Sequence, residues 1–383
     1  MNQQPAARAI AFYLPQFHPV AENNAWWGEG FTEWTNTAKA RPLFAGHYQP
    51  HVPADLGFYD LRLPEARAAQ ADLARRYGIE GFCYYHYWFA GRRILERPFD
   101  EVLASGEPDF PFCLCWANES WSGIWHGLSG HTLIEQTYPG LADHRAHFLS
   151  LLPAFKDRRY ICVDGKPLFV IHKPEKIPDL INVLAYWRKL AVEAGLPGLY
   201  LAAGLTSPGW HSLRHGFDAK IDTPYLPGKL HFLVSPRRYV REKLGMRSKL
   251  PFVASYERFS RERMNYAELD DATYPCLIHA WDNTPRSGAR GVVLKGSCPE
   301  LFAPVAASAV RSLQRRPPQH RLLFLKSWNE WAEGNHLEPD LQFGHGYLQV
   351  LARALGVAVS IDSKKSLVPL VKRKAFANRG AGL

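Results

Sequence analysis

At 383 residues the chain is long for one ordinary domain, and 46% hydrophobic residues with 12 Trp allow a large core while leaving aromatics over for a binding surface. The formal net charge of +10 is gathered in two places, a block between Lys229 and Lys249 and the last residues from Lys364 to Arg379, which argues against the groove-wide basic surface of a nucleic-acid binder. Met1 to Arg8 carries no basic start, and Pro15 interrupts the apolar run that follows. Neither a signal peptide nor a transmembrane segment is therefore expected, and the sequence predicts a cytoplasmic protein, with the inner membrane face as a peripheral location.

Arg8 to Leu14 reads as a buried parallel strand. The loop that follows, to Arg62, carries Trp26, Trp27, Trp34, His47 and His51, too many rings for a mere connector. Leu63 to Tyr77 is helical with Gly78 as its stop, and Ile79 to Trp88 is the second strand. A short helix from Pro98 to Ser105 leads to the third strand, Phe110 to Trp116, and Leu141 to Leu152 is helical. Strands follow at Leu168 to His172, Leu199 to Ala203 and Ala219 to Asp222, with a helix from Leu180 to Ala194 between the first two. Thr223 to Tyr274 lacks a clean period and is basic in its first half, so residues 223–275 are expected to form a lid-like insertion. Cys276 to Ala280 is the seventh strand, Pro299 to Gln314 a helix, Leu322 to Leu325 the eighth strand and Gly346 to Leu355 the closing helix.

Alternating strands and helices give an α/β class, and eight of these strands favour a (β/α)8 barrel with long loops at its C-terminal rim over an open sheet. No Gly-x-Gly-x-x-Gly follows the first strand, which weighs against a dinucleotide-binding fold. The barrel domain is expected over residues 1–362, with a flexible basic tail at 363–383.

In a barrel the C-terminal strand ends share one rim. Tyr13, His86, Trp88, Trp116, Asn118, Glu119, His172, Asp222, Trp281, Asp282 and Glu330 all fall there; all of these except Asp222 and Glu330, together with Trp34, Trp328 and Glu338, supply the candidate substrate-binding set. The segment Ser327-Trp-Asn-Glu-Trp-Ala-Glu-Gly-Asn-His-Leu-Glu338 is the most informative. Three carboxylates among two Trp and a His, just past a buried strand, suit a sugar-processing cleft, where carboxyls do proton work and rings take pyranose C–H faces. Glu330 and Glu333, three apart, project to one side of a helical turn, which drives their pKa values apart. A plainer reading, a helix start capped by Asn329 and ended by Gly334, leaves the flanking Trp unexplained. Trp34, Trp88, Trp116 and Trp281 are candidate sugar platforms as a group, although core packing explains any single one equally well. His18, His86, His172 and His279 show no close metal-ligand spacing, so no metal or other cofactor is expected. The block from 229 to 249 fits a solvated helix face, an anionic or lipid-linked glycan, or a membrane surface.

The same segment resembles the Asn-Glu-Trp-x-Glu-Gly-x-x-x-Glu signature of glycoside hydrolase family 99, the endo-α-mannosidases and endo-α-mannanases. It is more similar still to the WbsX-like group of bacterial polysaccharide gene clusters, often labelled glycosyltransferases. Ala11-Phe-Tyr-Leu-Pro-Gln-Phe-His-Pro19, Trp27-Gly-Glu-Gly-Phe-Thr-Glu-Trp34, Tyr84-Tyr-His-Tyr-Trp88, Cys115-Trp-Ala-Asn-Glu119 and Trp281-Asp-Asn-Thr-Pro-Arg286 carry the likeness along the chain to Asp340, most weakly between Thr223 and Tyr274. It implies a retaining, endo-acting glycoside hydrolase-like enzyme for a bacterial polysaccharide or its precursor. Carried over by position, Glu330 is the base on the substrate 2-hydroxyl, which closes a 1,2-anhydro sugar. Glu333 is the general acid and then the base for water, and Glu338 orients. The alternatives are a glycosyltransferase of O-antigen or cell-surface polysaccharide biosynthesis and a non-catalytic glycan-binding barrel. The first would need a phosphate cradle or acidic metal motif that the sequence lacks, and intact Glu330 and Glu333 speak against the second.

Overall fold

The computed structural model describes residues 5–122, 132–227 and 250–359. The basic block at 229–249 and the tail at 363–383 lie outside the described residues.

Eight strands form the centre: β1 (Arg8–Tyr13), β2 (Ile79–His86), β3 (Phe112–Trp116), β4 (Lys166–Ile171), β5 (Tyr200–Ala203), β6 (Ala219–Asp222), β7 (Thr273–Ile278) and β8 (Leu322–Lys326). Each pairs in parallel with its neighbour in sequence, and β8 returns to β1 with Ala9 opposite Leu323, so the sheet is a closed barrel. Strands in such a ring are covered on both sides, which is why β4 and β8 read as near-continuous apolar runs. Gly81 lets β2 and β3 close up at their entrance, because a Cβ there would lie 2.3 Å from the Pro111 carbonyl oxygen.

Helices α1 (Pro64–Arg76), α2 (Arg97–Ser105), α3 (Leu141–Phe155) and α4 (Leu180–Glu193) follow β1 to β4. Only a 3₁₀ turn, Ser212–His215, joins β5 to β6, while α5 (Tyr256–Arg263), α6 (Pro299–Leu313) and α7 (Gly346–Leu355) follow β6, β7 and β8. The apolar spacing explains their seating: Phe302, Val305, Ala306, Ala309, Val310 and Leu313 are the buried stripe of α6. Among the described residues no helix is long and apolar enough to cross a membrane.

Three features depart from the sequence expectation. β7 begins at Thr273, inside the range expected for the insertion, because Pro275 and the polar Asp270-Asp271 turn break the apolar pattern while the backbone still pairs Ile221 with Tyr274 and Asp222 with Pro275. Outside the barrel, Phe252–Ser255 pairs in parallel with Val292–Lys295, a contact between the loops after β6 and β7. The β1 loop also folds locally, into helices Ala21–Trp27 and Glu33–Lys39.

Candidate active site

At the C-terminal mouth of the barrel lies a cavity of about 470 Å³, whose walls come from the ends of all eight strands. Tyr85 and Tyr87 bring their rings from β2 and its end, Trp281 its ring from the β7 loop, and Glu119, His172 and Lys173 form one polar wall. Lys326, Glu330 and Glu333 form the wall after β8, joined by Glu33 and Arg286 from the loops after β1 and β7.

Arg286 organises the carboxylates. Its Nη2 donates to Glu330 Oε2 at 3.1 Å, its Nη1 to Glu333 Oε1 at 2.7 Å and its Nε to Glu33 Oε1 at 2.7 Å. All four side chains are nearly removed from solvent, at 13%, 6%, 9% and 1% exposure for Arg286, Glu330, Glu333 and Glu33. Three buried acids against one base leave an excess of negative charge, which is relieved most easily by a proton. Burial first, and then the neighbouring Glu333 charge, push the Glu330 carboxyl up to about 7, against the pull of Arg286 and Lys326. Burial works against the Arg286 charge, yet the three carboxylates together hold its pKa above the ordinary value. Burial and then the Glu330 charge also raise the Tyr85 and Tyr87 phenols well above their usual range, so both stay neutral hydroxyls.

The local sequence explains how the two glutamates are held. Asn329–Glu330 pairs antiparallel with Asn335–His336, and a 3₁₀ turn, Trp331–Glu333, joins the two. This is a tight hairpin rather than the helical turn expected, but it still presents both carboxyls to one guanidinium. Gly334 closes it at φ +56°, where a Cβ would lie 2.9 Å from Asp282 Cβ and its backbone nitrogen. Asn329 fastens the hairpin to the end of β1: Leu14 N donates to its Oδ1 at 2.7 Å, and its Nδ2 donates to Leu14 O at 3.0 Å. Asp282 braces the Arg286 turn. Its backbone N donates to Glu333 O at 2.6 Å, and its carboxylate accepts from Thr284 Oγ1, Gln49 Nε2 and a contact with His47 Nε2.

Of the residues singled out from sequence, Glu119, His172, Trp281, Glu330 and Glu333 meet in the cavity. Tyr13, Trp34, His86, Trp88, Trp116, Asn118, Asp282, Trp328 and Glu338 are not among its lining residues, which corrects the expectation that the whole set shares one surface. In β1 to β3 the reason is side-chain alternation. Tyr13 turns to α1 and donates to Gln70 Oε1 at 2.7 Å. His86 and Trp88 turn to α3, His86 Nε2 lying 2.8 Å from His147 Nε2 and the Trp88 ring stacking on His147 at 4.7 Å. Trp116 packs between His147 and Trp187 of α4. Burial brings His86 down to about 3, so it is a neutral interior ring. The alternate neighbours Leu14, Tyr85, Tyr87 and Ala117 take the cavity wall instead.

The other absentees serve the frame. Asn118 pins two loops by exchanging hydrogen bonds with Lys173 N and O, both at 2.8 Å. The Trp34 Nε1 donates to Tyr59 O, and its ring leans on Trp331; Trp328 is wholly buried against Phe82. Glu338 accepts from Trp331 Nε1, Gln70 Nε2 and Tyr59 Oη; burial pushes it up to about 7 against those bonds. Glu119, by contrast, is drawn down to about 2, because His172 and Lys173 outweigh the effect of burial.

Glu33 and Arg286, which sequence reasoning did not single out, stand in the two quoted motifs Trp27–Trp34 and Trp281–Arg286. Opposite charges inside aromatic motifs were the available signal. Among the described residues, His51, His336 and Asp340 form the one group with metal-ligand chemistry, their ligand atoms within 4.8 Å of one another. They lie behind Trp331, which stacks on His336 at 3.7 Å, and Asp340 Oδ2 sits 3.0 Å from His51 Nδ1 and 3.4 Å from His336 Nε2. These contacts make Asp340 a hydrogen-bond acceptor that steadies the end of the hairpin.

A family model described as Glycosyltransferase WbsX matches residues 9–351. The chain is 37% identical over 372 residues to the protein WxcX of Xanthomonas campestris pv. campestris, in each of two strains, across 95% of this chain and 52% of that protein. It therefore spans about half the length of the curated relatives it matches. Among solved structures it is similar to one described as a glycoside hydrolase-like protein, with a TM-score of 0.59 at 16% identity over 94% of this chain and 96% of that one. It is also similar to the GH99 endo-alpha-mannosidase from Bacteroides thetaiotaomicron, with a TM-score of 0.50 at 14% identity over 91% and 96%. At those identities the likeness concerns the fold, which is the barrel. The family match runs from the second residue of β1 into α7 and takes in every barrel strand and the loops that carry Glu33, Arg286, Glu330 and Glu333; the chain belongs to the WbsX glycosyltransferase family.

Proposed function

We propose that the cavity is the active site of a retaining glycan-processing enzyme that opens glycosidic bonds within a bacterial polysaccharide or its precursor. One observation carries the reading: Glu330 and Glu333 are held on adjacent nitrogens of one buried guanidinium, in a cavity walled by Tyr85, Tyr87 and Trp281. Paired carboxyls beside rings are the equipment of glycoside cleavage, and a close pair belongs to retention.

With a carboxyl drawn up to about 7, Glu330 is matched to accept a proton at neutral pH. It takes the proton of the substrate 2-hydroxyl as that oxygen bonds to C1. The C1–O bond to the leaving sugar breaks, and its oxygen takes the proton of Glu333. Water then attacks C1 and gives its proton to Glu333, the strained ring opens, and the 2-oxygen recovers its proton from Glu330. Two displacements at C1 leave its configuration unchanged.

The family's description favours a second reading, transfer, in which an acceptor hydroxyl replaces water in the second step. The protein is incubated with the glycan made by its own gene neighbourhood, with and without nucleotide sugars, and products are read by mass and by NMR of the first-formed anomer. Cleavage without nucleotide and with retention supports the reading. Products only with nucleotide sugar, or an inverted anomer, overturn it.

A further inference from the structure

Lys326 ends β8 and points its side chain into the same cavity. Its Nζ donates to the Tyr85 hydroxyl at 3.2 Å and lies 5.8 Å and 5.7 Å from the ring centroids of Tyr85 and Trp281. Every other charged group around it already has an ion-pair partner, although the acids on Arg286 outnumber it. Glu119 takes Lys173 and His172, and Arg286 takes Glu33, Glu330 and Glu333. Among the described residues Lys326 forms no ion pair within 4.0 Å.

An ammonium carries three donors, and one is used here. The two aromatic rings stabilise a cation without occupying its donors. A half-buried charge kept in a cleft with rings beside it and donors to spare is prepared for an anion supplied from outside the protein.

We propose that Lys326 is a specificity residue that receives an anionic oxygen group, carboxylate or phosphate ester, on the sugar bound between Tyr85 and Trp281, so that the glycan processed is acidic. This rests on the cavity being the sugar site of the proposed function. It extends that reading to the class of substrate. A lysine that contacts only neutral hydroxyls, or that serves only to draw down Glu330, predicts different behaviour in the same experiment.

Binding of glucuronate, glucose 6-phosphate and glucose is measured by titration calorimetry and saturation-transfer NMR on the wild type, Lys326→Met and Lys326→Arg, at low and high salt. The wild type is expected to bind one of the two anions about tenfold more tightly than glucose, in the range of one charge-assisted hydrogen bond. Which anion wins separates a uronate from a phosphate ester. Lys326→Met should bring that anion to the level of glucose, and Lys326→Arg should recover part of the preference. A near-UV circular dichroism spectrum and melting temperature confirm that each variant is folded; should the methionine variant fail, the arginine variant and the wild-type anion preference decide.

Equal wild-type affinity for glucose and both anions overturns the proposal, as does equal loss of all three ligands in Lys326→Met. Because the readout is binding, its failure is separable from that of the enzymatic reading. Anion-selective binding with no turnover of any glycan leaves Lys326 in its role and removes the hydrolase, whereas equal turnover of acidic and neutral forms of one glycan, in a ratio that Lys326→Met does not change, removes the role and leaves the hydrolase.

Discussion

Glu33 accepts a 2.7 Å hydrogen bond from Arg286 Nε, although 253 residues separate the two in sequence. The bond draws the β1 loop onto the β7 loop and makes one guanidinium answer for three buried carboxylates.

Removing that guanidinium leaves the acids uncompensated. Arg286→Met should lower the unfolding free energy at pH 7.5 by roughly 3–5 kcal/mol, the usual cost of breaking a buried charge pair. The deficit should shrink at pH 5, where the orphaned carboxyls can take protons. Urea denaturation at both pH values checks this, and a small, pH-independent loss would show that water already screens the cluster.

The raised Glu330 carboxyl sets a pH limb. A base must be ionised, so kcat/KM should show an acidic limb that rises about tenfold per pH unit below about 7. Stability moves the other way. A folded pKa above the unfolded value of 4.5 contributes stability that is complete below 4.5 and is lost as pH rises through about 7. Glu330→Gln removes that contribution, so the variant should gain on the wild type between pH 5 and pH 8, by at most about 1.4 kcal/mol for each pH unit separating the unfolded carboxyl from the folded one. Comparing the two proteins isolates Glu330 from Glu338, which is raised in the same direction. A kinetic limb below pH 5.5 would remove Glu330 from the role of base.

Glu333→Gln keeps the shape and the hydrogen bond from Arg286 but cannot give a proton. Its loss of turnover should be greatest on natural glycans and least on aryl glycosides with good leaving groups, which need little protonation. Equal loss on both, measured as kcat/KM ratios, would contradict the assignment as acid.

Gly334→Ala tests the hairpin. The new methyl meets the Asp282 backbone at 2.9 Å in a φ +56° conformation, so Glu333 and Asp282 must move apart. About 1–3 kcal/mol of stability should be lost. Activity should fall further, of the order of 10²-fold, as expected for a displacement of about 1 Å at the reacting groups. If activity falls only in step with the unfolded fraction, the glycine is structural and positions nothing.

The barrel was legible because its strands are short apolar runs ending in polar, aromatic residues, and the position of each run predicts the shared rim. Which residue at each strand end faces inward was not. In Tyr84-Tyr-His-Tyr-Trp88 aromatics occupy both parities, since one face packs on α2 and α3 and the other walls the cavity. Alternation therefore leaves no trace in residue type. Carboxylates are equally ambiguous: Asp282 and Glu338 are chemically like Glu330, yet they accept hydrogen bonds inside the frame. The charges of Glu33 and Arg286 were visible inside their motifs, but not that they pair, because only barrel closure brings those loops together.

The double hydrogen bond between Leu14 and Asn329 spans 315 positions, so the place where the ring shuts is also the place where the carboxylates are mounted. On the ribosome β1 emerges long before its partner. Chains halted between Trp281 and Asn329 carry the ring residues and the polar-wall residues but no acid pair. The mount of the acid pair is thus assembled only through a contact of very high sequence separation, the kind whose loop-closure cost falls before any contact repays it.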